Sequence, residues 1–269
     1  MFRASLALLA ATLACAPCAA ATFLPLGVPG GQLSAMSDDG RSATGSVVGG
    51  AIGGFRWREG RPIDLLPGAV SARGMSASGR YIVGSALDAE QREVAAYWDA
   101  DGTLHRIGGL PGAAARAGVL SQGFAIGNDA RITGIANGRD DRSIAFSWTL
   151  AEGIRGLPAG ASPTPDRSDR LLAGSEGNGA QRIAIIRDAD GAVRLDEFLA
   201  RRGVAVPAGW KLTAATAAST DGCRIGGYGQ HGGVIDSFIV DLCAGGAGGI
   251  PLPSTAQQRQ DSSTRETHP

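Results

Sequence analysis

The sequence predicts an all-β chain, a five-bladed β-propeller with the last blade closed by the N-terminal strand, and three observations carry that prediction. A polar turn followed by a β-rich run ending in glycine recurs at Met36–Gly45, Met75–Gly84, Ile126–Gly134, Asp166–Gly174 and Ala218–Gly227. Such self-similarity marks a repeat architecture in which one unit cannot bury its apolar faces alone. Large apolar residues then recur in phase: Phe55, Phe146, Ile185 and Phe238 at one position, where the second repeat has Ala96, and Trp57, Trp98 and Trp148 two residues later. Two residues apart in a strand is the same face, so these side chains are expected to pack between neighbouring sheets. Finally, the last repeat lacks a fourth strand, and Thr22 to Gly27 followed by Pro29-Gly30 resembles Leu104 to Gly112. A toroid closed by that N-terminal piece leaves neither chain end as an open sheet edge.

The elements follow in order. Residues 1–21 read as a secretory leader, with Arg3, an apolar run from Leu6 to Ala14 and small residues Ala19-Ala20-Ala21 before Thr22. That run is too short to span a bilayer, and neither Cys15 nor Cys18 has the usual lipoprotein context. Residues 22–243 form the repeat domain. In the second repeat, strands are expected at Ala72 to Ser76, Tyr81 to Val83, Val94 to Trp98 and Leu104 to Ile107, with turns at Ser78-Gly79 and Asp101-Gly102. Asp-Gly between apolar runs is a strong hairpin signal. The recurring Gly45, Gly84, Gly134, Gly174 and Gly227 mark places where a side chain would crowd an approaching backbone. Gly112 to Leu120 and Gly160 to Pro165 are turn-rich insertions, and Leu195 to Arg202 reads as a short helix capping one face of the toroid. Residues 244–269 are polar, punctuated by Gly and Pro, and read as a flexible tail.

Composition bounds the partners. Lys plus Arg and Asp plus Glu number 25 each, and the charges are scattered singly. A nucleic-acid surface needs a concentrated basic field, so that class is excluded. No segment after the leader is long and apolar enough to anchor the mature chain in a membrane. In an oxidising compartment Cys223 and Cys243 are expected to form a disulfide; the alternative is a pair of small buried hydrophobes, and neither has ligands at zinc-like spacing. The reading is a secreted protein, periplasmic or extracellular, monomeric and without a cofactor.

The repeats resemble the HAF-repeat family of bacterial extracellular proteins, whose units approximate a Gly-Ile-Asn-x-x-Gly start, a Val-Gly-x-Ser middle and an Ala-Phe-x-Trp strand followed by Asp-Leu-Gly. The start is similar to Gly74-Met75-Ser76-Ala77-Ser78-Gly79, the middle to Val83-Gly84-Ser85, and the strand to Gly54-Phe55-Arg56-Trp57 and Ala145-Phe146-Ser147-Trp148, with Asp64-Leu65 following the first. Leu195 to Asp241, including Gly209-Trp210-Lys211-Leu212 and Ser237-Phe238-Ile239, resembles the family's end. The fourth repeat departs most, with Arg187 in place of the Trp. The resemblance implies export and supplies no catalytic residues.

Chemical readings find little to build on. The histidines are His105, His231 and His268, and His231 with Asp236 is the best acid–base pair, although a solvated hairpin is the simpler reading. No Gly-x-Ser-x-Gly elbow occurs. Asp38-Asp39, Asp140-Asp141 and Asp188 with Asp190 sit in expected turns, where short carboxylates satisfy backbone amides, and none shows an EF-hand pattern for calcium. The preferred function is therefore a secreted, non-catalytic binding or structural module for an envelope component, a glycan or a protein, with a propeller hydrolase or lyase as the alternative. Arg92, Glu93, Arg139, Asp140, Asp141, Arg142, Gln230, His231 and Asp236 belong to connections between second and third strands of repeats. Equivalent connections share one end of a propeller, which makes these residues the candidate recognition surface.

Overall fold

The computed structural model describes residues 21–49, 53–113, 115, 117–138, 142–158, 173–176, 182–188 and 191–244. The chain opens with β1 (Thr22–Pro25) and then lays down antiparallel sheets one after another. The first holds β2 (Gly31–Met36), β3 (Ser42–Val47), β4 (Gly53–Arg58) and β5 (Asp64–Leu66). The second holds β6 (Ala69–Met75), β7 (Ile82–Leu87), β8 (Glu93–Trp98) and β9 (Leu104–Gly108). The third is β10 (Ser121–Ile126), β11 (Ile132–Asn137), β12 (Ser143–Thr149) and β13 (Gly153–Gly156). In the fourth, β14 (Ala173–Glu176), β15 (Ile183–Asp188) and β16 (Gly191–Arg194) are described, and most of the expected Asp166–Gly174 segment lies outside the described residues. Helix α1 (Leu195–Arg201) leads to β17 (Trp210–Ala218), β18 (Arg224–His231) and β19 (Val234–Asp241) of the fifth sheet.

The fifth sheet is completed by the other end of the chain. β1 pairs antiparallel with β19, placing Thr22 opposite Asp241 and Pro25 opposite Phe238. This is the strand exchange the sequence predicts, and Phe23 secures it by stacking on Phe238 at 5.1 Å and meeting Trp210 edge-on at 5.3 Å. The Cys223–Cys243 disulfide then ties the turn before β18 to the residues after β19. The sheets pack in the order fourth, fifth, first, second, third, a propeller-like arrangement.

The phased aromatic residues do pack between sheets. Phe55 and Trp57 share a cluster with Ile239 of the fifth sheet, Trp98 lies fully buried against Leu66 and Ala72 at the next junction, and Trp148 packs on Tyr97 at the one after. Helix α1 departs from its expected role as a cap. Leu195, Phe198 and Leu199 are spaced to make one apolar stripe, and all three are buried with Ile186, Leu212 and Phe238 in the core between the fourth and fifth sheets.

The phased glycines have a common cause. Every described innermost strand bulges at the same place, leaving Ser34, Arg73, Phe124 and Thr216 as the extra residue opposite the ladder. The bulge pushes a carbonyl toward the second strand. A Cβ on Gly45, Gly84, Gly134 or Gly227 would collide with the carbonyl oxygens of Gln32, Ser71, Gln122 and Ala214 respectively.

Candidate functional site

Antiparallel order gives the array of sheets two unlike ends. Turns between first and second strands lie at one end, together with hairpins between third and fourth strands; hairpins between second and third strands lie at the other, with the connectors that lead from sheet to sheet. We refer to these as the turn end and the hairpin end.

At the turn end, hydrogen bonds lace neighbouring turns together. Ser37 and Ser219 occupy equivalent positions, and each hydroxyl donates to a carboxylate two residues on, Asp39 and Asp221, at 2.6 Å. Those same carboxylates accept the N–H of Arg41 and Cys223, as expected of turn aspartates. Burial opposes ionisation of Asp39, but the Ser37 hydroxyl, the Arg41 N–H and the nearby guanidinium groups outweigh it and hold the pKa below the ordinary value. For Asp221 the Ser219 hydroxyl is the leading cause of a pKa that is likewise lowered. The turns also bond to one another: Thr220 N–H donates to the Asp38 carbonyl, Asp38 N–H to that of Ala77, and Ser78 N–H to the Asn128 side chain, at 2.8 to 2.9 Å. This belt links the fifth, first, second and third sheets.

The hairpin end holds the residues nominated from sequence, and several have structural partners. Arg92 donates through Nε to Asp88 at 2.8 Å and through a terminal nitrogen to Glu90 at 3.0 Å, inside its own turn. Glu93 Oε1 accepts Ser85 Oγ at 2.5 Å and Gln122 Nε2 at 2.7 Å. Its backbone bonds the connector through Gly118 and Leu120, so Glu93 clamps the second sheet to the third. Arg139, Asp140 and Asp141 lie outside the described residues, and Arg142 is exposed with its carbonyl closing the turn to Gly138 N–H. Gln230 and His231 are exposed at the end of β18, where the His231 ring stacks on Trp210 at 5.4 Å. Asp236 accepts the Val28 N–H at 2.8 Å, fastening the chain just past β1 to the fifth sheet. His231 and Asp236 are thus engaged with different neighbours. Three apolar side chains are exposed at this end, at the equivalent hairpins of neighbouring sheets: Val48 at 38%, Leu87 at 37% and Val234 at 50%.

Sequence reasoning missed a cleft of about 410 Å³ at the seam between the fifth and first sheets, beside the β4–β5 hairpin at the turn end. Leu24, Trp57, Glu59, Arg61, Ile239 and Asp241 line it. Arg224 also borders it, donating to Asp241 at 2.9 Å, to the Gly40 carbonyl at 3.2 Å and to Glu59. The signal was present in the strand pattern, at the residue between the two phased core positions, Ile239 in β19. His105, an outer-strand residue, pairs with Asp99 at 2.9 Å and stacks on Tyr97 at 4.5 Å.

Among the described residues no three His, Cys, Asp or Glu side chains gather as a metal site, and no helix is long and apolar enough to cross a membrane. No family model and no curated protein matches the chain. Among solved structures it is similar to TolB from Acinetobacter baumannii, at 11% identity and a TM-score of 0.36, over 82% of this chain and 56% of that one. The chain therefore spans little more than half the length of that protein, and an overlap at this level defines neither a family nor a shared ligand.

Proposed function

We propose that this chain is an exported, non-catalytic binding module of the HAF-repeat type, closed as a five-bladed propeller and recognising an envelope component, a glycan or another protein through its hairpin end. The observation that carries the reading is the recurrence of exposed apolar side chains at equivalent hairpins of three neighbouring sheets at the hairpin end, whereas Leu150, 87% exposed in the β12–β13 hairpin, stands singly at the turn end. At the turn end, amides and carboxylates are consumed by the belt and by the Ser–Asp turns. At the hairpin end, Val48, Leu87 and Val234 stand exposed near the His231–Trp210 stack and Arg92. Exposed apolar groups rimmed by polar ones are the usual composition of a recognition surface, and loops on a packed scaffold vary without disturbing the repeat.

The test is co-sedimentation of the mature protein with purified cell-wall sacculi and with outer-membrane vesicles, alongside a glycan array. Val48→Asp, Leu87→Asp and Val234→Asp combined are expected to lower binding at least about tenfold, the size of effect of removing an apolar anchor. Asp101→Arg, at the turn end, is expected to leave it unchanged. Binding that survives the triple substitution and is lost with Asp101→Arg places the surface at the other end and sinks the reading.

A further inference from the structure

Third strands of the repeats carry one residue between the two phased core positions, and it points toward the next sheet. At the first-to-second junction that residue is Arg56, which is buried and donates to the Asp99 carbonyl at 2.7 Å and the Ala100 carbonyl at 2.9 Å. At the second-to-third junction it is Tyr97, packed on Trp148 at 5.4 Å. At the fifth-to-first junction it is Ile239, which has neither the length nor the polar end of Arg56, and the 410 Å³ cleft lies there. The cleft is therefore the space that the first-to-second and second-to-third junctions fill with a long planar side chain, whereas Ile186, the counterpart at the fourth-to-fifth junction, is covered by helix α1.

The walls of the cleft match those that receive Arg56. Trp57 stands where Trp98 stands, and the turn after each has the same hydrogen bond, Arg61 N–H to the Arg58 carbonyl at 3.0 Å and Gly102 N–H to the Asp99 carbonyl at 3.1 Å. The Arg58 and Glu59 carbonyls are thus the counterparts of the two acceptors that hold Arg56. The carboxylates of Glu59 and Asp241 border the cleft, both already accepting from Arg224, and Trp57 adds an aromatic surface of the kind guanidinium groups favour.

We propose that the seam cleft binds a guanidinium group, the arginine side chain of a partner polypeptide inserted where Arg56 sits in the next junction. The proposal is independent of the hairpin-end reading, because the cleft opens beside the β4–β5 hairpin. Arg61, exposed at its mouth and without an ion-pair partner among the described residues, is a like charge that weakens the site.

The experiment is a titration of the mature protein with N-acetyl-argininamide, followed through the Trp57 indole resonance. The lysine, citrulline and glutamate analogues serve as comparison probes. The arginine probe is expected to shift Trp57 and to bind at least about tenfold more tightly than the others, because only it combines a planar donor fork with a positive charge. Arg61→Ser is expected to tighten that binding and Glu59→Gln to weaken it, each by about threefold, as for partly screened single charges. Ile239→Arg, which installs the filler of the next junction, abolishes it. Residue 239 is buried, so the two rim variants carry the decision whether or not that variant folds. Equal binding of the lysine or citrulline probe, preferential binding of the glutamate probe, no Trp57 shift with any probe, or rim variants moving affinity in the opposite directions each overturns the proposal.

Discussion

Two junctions built from the same repeated strand differ in how they are held. Between the first and second sheets, Arg56 crosses the gap and anchors on backbone carbonyls, while Trp98 is sealed with its indole N–H donating to the Pro67 carbonyl at 3.0 Å. Between the fifth and first sheets Ile239 leaves a cleft beside the Phe55–Trp57 cluster, and much of the joining passes to the margins: the Thr220–Asp38 and Thr216–Leu33 bonds, the Asp236–Val28 bond on the chain leading into the first sheet, and the Arg224 ion network. One junction joins consecutive sheets of a continuous chain. The other joins segments from opposite ends of the sequence, and its hold is distributed over several contacts that are each modest. A seam of that kind tolerates an unfilled space where a continuous junction does not.

The sharpest way to break the comparison is to remove residues 22–26. That strips β1, unpairs β19 and removes the Phe23 stack, so the thermal transition followed by circular dichroism is expected to lose its cooperativity. Arg56→Ala next makes the filled junction resemble the seam. Burial and neighbouring Arg58 lower the pKa of Arg56, which records the cost of housing this charge, yet its removal leaves the Ala100 carbonyl without this donor and the Asp99 carbonyl with the Gly102 N–H alone. A loss of about 3 kcal/mol in urea unfolding is expected, and a loss below about 0.5 kcal/mol shows that the filler does not hold that junction. Replacing Cys223 and Cys243 by Ala costs about 3 kcal/mol, given their separation of 20 residues. Arg224→Leu removes the ion network and the bond to the Gly40 carbonyl, and is expected to cost about 1 kcal/mol, diminishing with added salt.

The smallest effect concerns pH. Asp39 and Asp221 have lowered pKa values in the folded chain, so the stability they contribute is present above the ordinary carboxylate pKa and is lost as pH falls through the folded values. Ser37→Ala and Ser219→Ala, which remove the donors to these groups, are expected to flatten the decline in stability below about pH 4. An unchanged acid slope shows that these turns contribute no pH-dependent stability.

The strands and the exchange of chain ends were legible because period-two patterning exposes core positions directly: Phe55 with Trp57, and Ala96 with Trp98, identify one face without knowledge of the neighbour. The phased glycines were legible as points of close approach, although the bulge responsible appears only when both strands are present. The site was much less so. Glu93 reads as a loop carboxylate until Gly118, Leu120 and Gln122 are brought against it by the second-to-third junction. Asp236 reads as half of an acid–base pair until strand exchange delivers Val28 to it. Ile239 reads as an ordinary strand residue because its significance lies in what Arg56 and Tyr97 do at other junctions. In each case the missing information was long-range, a partner distant in sequence and set by how one sheet meets the next.

The pairing of Thr22 with Asp241 also orders events in time. β1 cannot find its place until β19, from the other end of the repeat domain, is brought to it. Until then the early sheets can form from local hairpins, but the seam waits, and the entropy of joining such distant segments makes closure the slow step. During that interval Leu24 and Phe23 are exposed, on a strand whose Pro25 lacks the N–H needed to donate to another chain. The proline thus guards the strand while it is unpaired.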